Sequence, residues 1–127
     1  MSNEEIKNRL NQLDAEDFIW CIYLGIIILS YYSNSIEREY FFTNNKKSRE
    51  SYRKIIIIIF SVLVVVYLYF LKSSIEDLRN LKPDATLEHK QLVFLSFLGS
   101  LLIAISGAIF LYIAIRDENI DVELAFN

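Results

Sequence analysis

A chain of 127 residues has the length of one small domain, yet 54% of its residues are hydrophobic and the mean hydropathy is +0.30. The apolar residues gather in long blocks, which points to membrane rather than to a globular core. The formal charge of −3 is too small to argue for nucleic acid, and the single cysteine, Cys21, rules out an intrachain disulfide and a cysteine metal framework.

Residues 1–17 read as a short amphipathic segment. Ser2 and Glu5 have capping-box spacing, and Ile6, Leu10 and Leu13 repeat on one helical face. Its acids, Glu4, Glu5, Asp14, Glu16 and Asp17, oppose the basic start of a cleavable signal, so the following span is expected to remain as an anchor. That span covers 18–34, with Trp20 near one end and Tyr31 and Tyr32 at the other, where amphipathic rings favour the headgroup level. Cys21 reads as a small apolar residue within it.

Residues 35–54 form a basic loop with its turn expected at Asn44–Asn45 and helix-like flanks. Arg38, Lys46, Lys47, Arg49, Arg53 and Lys54 determine topology and are the candidate surface for anionic lipid headgroups. The clearest span follows at 55–71, IIIIIFSVLVVVYLYFL, seventeen residues without charge, Gly or Pro. As a helix it covers about 26 Å, close to the ~30 Å hydrocarbon core of a bilayer, and it is too long for a strand.

Residues 72–90 read as an interfacial loop with a brief helix, capped by Ser73 and Glu76 and ended by Pro83; Asp84 or Thr86 is placed to cap the next helix. The third span is 91–116. On it Ser96, Ser100, Ala104 and Ala108 fall four residues apart, with Gly107 close to the stripe and Gly99 beside it. Small residues at that spacing let helix backbones approach closely, within the chain or between copies. In the acidic tail, 117–127, Ile120, Val122, Leu124 and Phe126 alternate with Asp121, Glu123 and Ala125; the readings are a short strand seeking a partner edge or a frayed end.

The expected fold is therefore an all-α integral membrane protein with three transmembrane helices and short amphipathic or interfacial segments. Lys and Arg number six on one side and seven on the other, and only the first loop has a clear positive excess. That loop directs the N-terminus outside and the C-terminus inside a cell membrane. The abundance of Ile, Asn, Lys, Tyr and Phe suits an AT-rich bacterial genome.

Apart from Arg116 at the very end of the third, no span contains an Asp, Glu, Lys, Arg or His, the groups that proton relays and voltage sensors place at depth. The one histidine, His89, has no nucleophile or second ligand at a recognised spacing. The expectation is thus a non-enzymatic protein without cofactor or metal, whose partners are the bilayer and either its own copies or another membrane protein, as an accessory or immunity subunit. The alternative is an oligomeric pore that depolarises the membrane, with Ser96, Ser100 and Ser106 as candidate lining. Three spans in so short a chain resemble the layout of one class of phage holins, although the tail here is acidic where such holins commonly end in basic residues.

Overall fold

A computed structural model describes residues 2–124. It is all-α, with three long helices: α1 (Asn3–Thr43), α2 (Lys46–Arg79) and α3 (Leu87–Arg116). At helical rise these are about 62, 51 and 45 Å long.

Helix α1 starts in a complete capping box: Glu5 N donates to Ser2 Oγ and Ser2 N to Glu5 Oε2, both at 3.2 Å. It then runs unbroken through residue 17 and on past residue 34. Residues 3–17 are thus helical and continuous with the stretch that follows, and neither Gly nor Pro interrupts the chain before Gly25. Ile6, Leu10 and Leu13 are exposed along this extension. The basic stretch 35–54 is likewise helical on both sides of a two-residue turn. Asn44 takes the left-handed conformation that asparagine tolerates (φ 53°), and its N–H bonds Tyr40 O at 2.7 Å. Asn45 caps α2 by accepting from Lys47 N at 3.0 Å.

The segment 72–90 also departs from expectation. Ser73 and Glu76 do not start a new helix, because α2 continues to Arg79 and both lie within it. The connection is short, with Ala85 N bonding Lys82 O at 3.0 Å across Pro83. Thr86 then caps α3, accepting from His89 N at 3.1 Å.

Helix α2 is the centre of the molecule. It packs on α1 and on α3, while α1 and α3 do not pack on each other. Its core-facing side carries Tyr52, Ile56, Ile59, Phe60 and Leu63, clustered with Ala114 and Leu124. β-Branched and aromatic side chains suit that place, since they fill volume on two sides with few rotamers to lose. Helices α2 and α3 are long and apolar enough to cross a membrane by length and composition. Only 28% and 11% of their most apolar windows are buried, so most of that surface faces outward, unlike the core helix of a soluble protein.

The tail forms no strand among the described residues. Residues 118–124 fold back under the bundle, and Leu124, 7% exposed, joins the core cluster. Asp117 directs the turn: its carboxylate accepts from Asp121 N at 3.1 Å and Val122 N at 2.8 Å. Ile120 is thereby held at φ 57°, a left-handed conformation costly for a β-branched residue. Phe126 lies outside the described residues.

Candidate functional site

The α2–α3 seam is set by small residues on α3 facing bulk on α2. Ala104, Gly107 and Ala114 are buried, and Ser100 Oγ lies 2.8 Å from Ser74 Oγ. The Tyr67 ring sits on Gly107: a Cβ there would meet Tyr67 Cδ2 at 2.8 Å. Phe60 and Phe110 pack with ring centroids 5.8 Å apart. The seam thus runs 100, 104, 107, 111, 114, an alternation of four and three that averages 3.5 residues.

A strict spacing of four drifts about 40° per step around the helix, which carries both ends of the expected stripe off the seam. Ser96 and Ala108 are accordingly exposed. Gly99 is exposed too, with nothing within 4 Å of a Cβ built on it. The six expected small residues therefore divide in half: Ser100, Ala104 and Gly107 inside the chain, Ser96, Gly99 and Ala108 outside.

Because α1 and α3 do not touch, a groove opens between them with α2 as its floor. One chamber, about 480 Å³, is lined by Gln12, Glu16, Ser73, Asp77, Ser96 and Ser100 together with aromatic walls. Gln12 Nε2 donates to Ser73 Oγ at 3.3 Å across it. A second chamber, about 490 Å³, continues between α1 and α2 past Ile26, Ile27 and Leu63 to Asn34. Trp20, Tyr23 and Tyr67 line both, and the rings of Trp20 and Tyr23 meet edge to face at 5.6 Å. Sequence reasoning missed this groove, because it assigned Gln12 and Glu16 to one segment and Ser73 and Asp77 to another. The available signal was spacing: 12, 16, 20 and 23 share one face of a continuous helix, as do 70, 73, 74 and 77.

The opposite end of the bundle is closed. Arg53 Nη2 donates to Ile115 O at 3.0 Å, satisfying a terminal carbonyl of α3 where its dipole favours a cation. Arg49 Nη1 donates to Asn119 Oδ1 at 3.2 Å. These two of the six candidate lipid-binding cations are engaged by the chain itself; Arg38, Lys46, Lys47 and Lys54 are exposed. Tyr52, 5% exposed, lies beside Glu37. Burial pushes the Tyr52 hydroxyl's pKa up, and the carboxylates of Glu37 and Asp117 push it further. The Glu37 carboxyl is itself raised by burial; a hydrogen bond from Tyr52 opposes this and the negative charge of Glu123 adds to it.

His89 is exposed at a cleft of about 660 Å³ near the α2–α3 connection, with Asp77, Asp84 and Thr86 among its lining. No three His, Cys, Asp or Glu side chains gather for a metal among the described residues. Cys21 is exposed. No protein-family model, curated protein or solved structure matches the chain.

Proposed function

We propose that this is a small, multi-pass, non-catalytic protein of a cell membrane that works by helix association, with its own copies or as the accessory or immunity subunit of another membrane protein. Residues 18–34 of α1 supply a third span beside α2 and α3, with the N-terminus outside and the C-terminus inside. The observation that carries the reading is the free face of α3: Ser96, Gly99 and Ser106 are exposed, Ser96 at the edge of the α1–α3 groove and Gly99 and Ser106 outside it. They fall within about 80° of one another around the helix. Gly107 seats the Tyr67 ring, but nothing within the chain makes use of a glycine at 99. A mid-helix glycine costs about 1 kcal/mol against alanine, and close approach of a second helix is what it offers in return. Crosslinking in native membranes tests this: Gly99→Leu should collapse the oligomer ladder or release the partner. An unchanged ladder in both Gly99→Leu and Ser106→Leu refutes it.

The second reading is an oligomeric pore, favoured by the exposed hydroxyls of Ser96 and Ser106 on that same face. Ser100 is less suited to line it, since its hydroxyl is bonded to Ser74. Induction in a bacterial host with a potential-sensitive dye separates the two. Prompt depolarisation abolished by Gly99→Leu supports the pore; unchanged potential with verified insertion supports association alone.

A further inference from the structure

We propose that the groove between α1 and α3 binds one membrane lipid whose headgroup carries a primary ammonium. The head lodges against Glu16 and Asp77, and an acyl chain lies along Tyr23 and Tyr67. This rests on the membrane reading above, but not on helix association.

Shape and level come first. The chambers are joined through Trp20, Tyr23 and Tyr67, and along α1 they run from Gln12 to Asn34. That is about 33 Å by helical rise, ample for a headgroup and one chain within a single leaflet of a ~30 Å core. The polar chamber sits where headgroups belong. Glu16 just precedes the apolar stretch of α1, and Ser73, Ser74 and Asp77 just follow that of the antiparallel α2. The second chamber descends from it between aliphatic and aromatic walls.

Charge decides the head. The hydroxyls of Ser74 and Ser100 bond each other at 2.8 Å, and the Gln12 amide donates to Ser73. Besides the neutral groups of Ser96, Tyr23, Tyr67 and Trp20, what the chamber still offers is carboxylate oxygen from Glu16 and Asp77, its only charged lining. Acceptors of that kind, beside low-dielectric walls, select a cationic N–H donor. An ethanolamine headgroup, with its primary ammonium, meets that requirement, whereas the N–H-free choline headgroup does not. A purely anionic headgroup would face two carboxylates.

Trp20 is the only tryptophan and lines both chambers, and because it is 68% exposed, occupancy is read as quenching in excess of that given by the brominated phosphatidylcholine. The full chain is reconstituted in phosphatidylcholine vesicles containing graded brominated-chain phosphatidylethanolamine, phosphatidylglycerol or phosphatidylcholine. Half-maximal quenching of Trp20 is expected at about tenfold lower mole fraction of the ethanolamine lipid, the ratio one ~1.4 kcal/mol contact supplies. The double variant Glu16→Gln, Asp77→Asn should lose that preference while keeping helix content, insertion and crosslinked size; the single variants should lose part of it. Equal quenching by all three lipids, preference for the glycerol lipid, or selectivity surviving in the double variant overturns the proposal. Quenching that is weak throughout and rises in Gly99→Leu would show that a second copy's helix fills the groove, which also overturns it. A chain recovered outside the membrane fraction refutes the membrane reading itself, a distinguishable failure.

Discussion

The two glycines of α3 make a controlled pair. Gly107 faces Tyr67 Cδ2 at 2.8 Å and Cε2 at 3.1 Å, with Val64 Cγ2 at 3.5 Å, all measured from an added Cβ; Gly99 meets nothing within 4 Å. Ordinary carbon contacts begin near 3.5 Å, so even one methyl at 107 must displace the Tyr67 ring by roughly 0.7 Å. The ring borders the groove and has room on that side, which limits the cost for alanine. Overpacking of about 1–2 kcal/mol then nearly cancels the ~1 kcal/mol that alanine gains as a helix former. Leucine adds three further carbons on the seam and must separate α2 from α3. About 3 kcal/mol of overpacking, less the gain in propensity, leaves Gly107→Leu roughly 2 kcal/mol less stable than the parent chain. Gly99→Leu should be neutral to slightly stabilising for the isolated protomer. The assay is denaturant unfolding of monomeric protein in mild detergent, followed by far-UV circular dichroism. Equal stability of the two leucine variants would refute the assignment of Gly107 to the intrachain seam.

The hydroxyl pair on the same seam, Ser74 and Ser100, should show a coupling of about 0.6 kcal/mol in a double-mutant cycle to alanine, the usual size for a polar contact between membrane helices. Zero coupling would mean each hydroxyl is satisfied by its own helix, as Ser74 already is in part through Phe70 O at 3.0 Å. Burial first, and then the charge of Glu123, hold the Glu37 carboxyl above the usual glutamate range against the opposing Tyr52 hydrogen bond. The folded chain therefore holds that proton more tightly than the unfolded chain, so this group favours folding at acid pH and the advantage is lost as pH rises through the raised value. Glu37→Gln should flatten the fall in melting temperature between acid and neutral pH; a steeper fall contradicts the assigned cause. Asp117→Ala removes acceptors for two backbone amides at 3.1 and 2.8 Å, which should expose the amides of Asp121 and Val122 to faster hydrogen exchange and destabilise the tail by about 1–2 kcal/mol. Ile120→Gly relieves a left-handed residue at φ 57° and should slow that exchange if backbone strain outweighs the lost side-chain contacts.

What could be read from the sequence was whatever depends on neighbours along the chain. The Ser2–Glu5 box, the Asn44–Asn45 turn and the Thr86 cap are each decided within a few residues, and each has a local chemical reason. The same logic failed at Ser73 and Glu76. Their spacing imitates a helix start, yet nothing between Phe70 and Leu78 breaks the helix already running, and Ser74 finds its second partner on α3. The tail failed similarly. Alternating apolar residues suggested period two, but the Asp117 carboxylate bends the backbone before any strand can form, and Leu124 finds the core from a turn. The polar groove belongs to no single segment; the shared helical faces of 12, 16, 20 and 23 and of 70, 73, 74 and 77 signal it only once α1 and α2 are known to continue past their apolar stretches.

The two ends of the bundle follow from how the chain returns on itself. After α3, Asp117 turns residues 118–124 back over Tyr52, Ile56 and Ala114, so that Leu124 plugs the gap. Arg49 and Arg53 are drawn inward to bond that segment and lose their place on an outer surface. At the other end no segment returns. Helices α2 and α3 are tied by a short connection, α1 packs on α2 but not on α3, and the space between α1 and α3 stays open to the surroundings. Sealing one end with apolar side chains concentrates unfilled polar surface at the other. A buried Leu124 and an open Glu16–Asp77 chamber are thus consequences of one topology, in which the first and third helices share a neighbour but never meet. A ligand that enters the groove would bridge that gap and hold α1 to α3, contact that the chain alone does not make. Occupancy should therefore slow hydrogen exchange in residues 10–20 of α1 more than at the tail-closed end, and uniform slowing across the chain would deny the bridge.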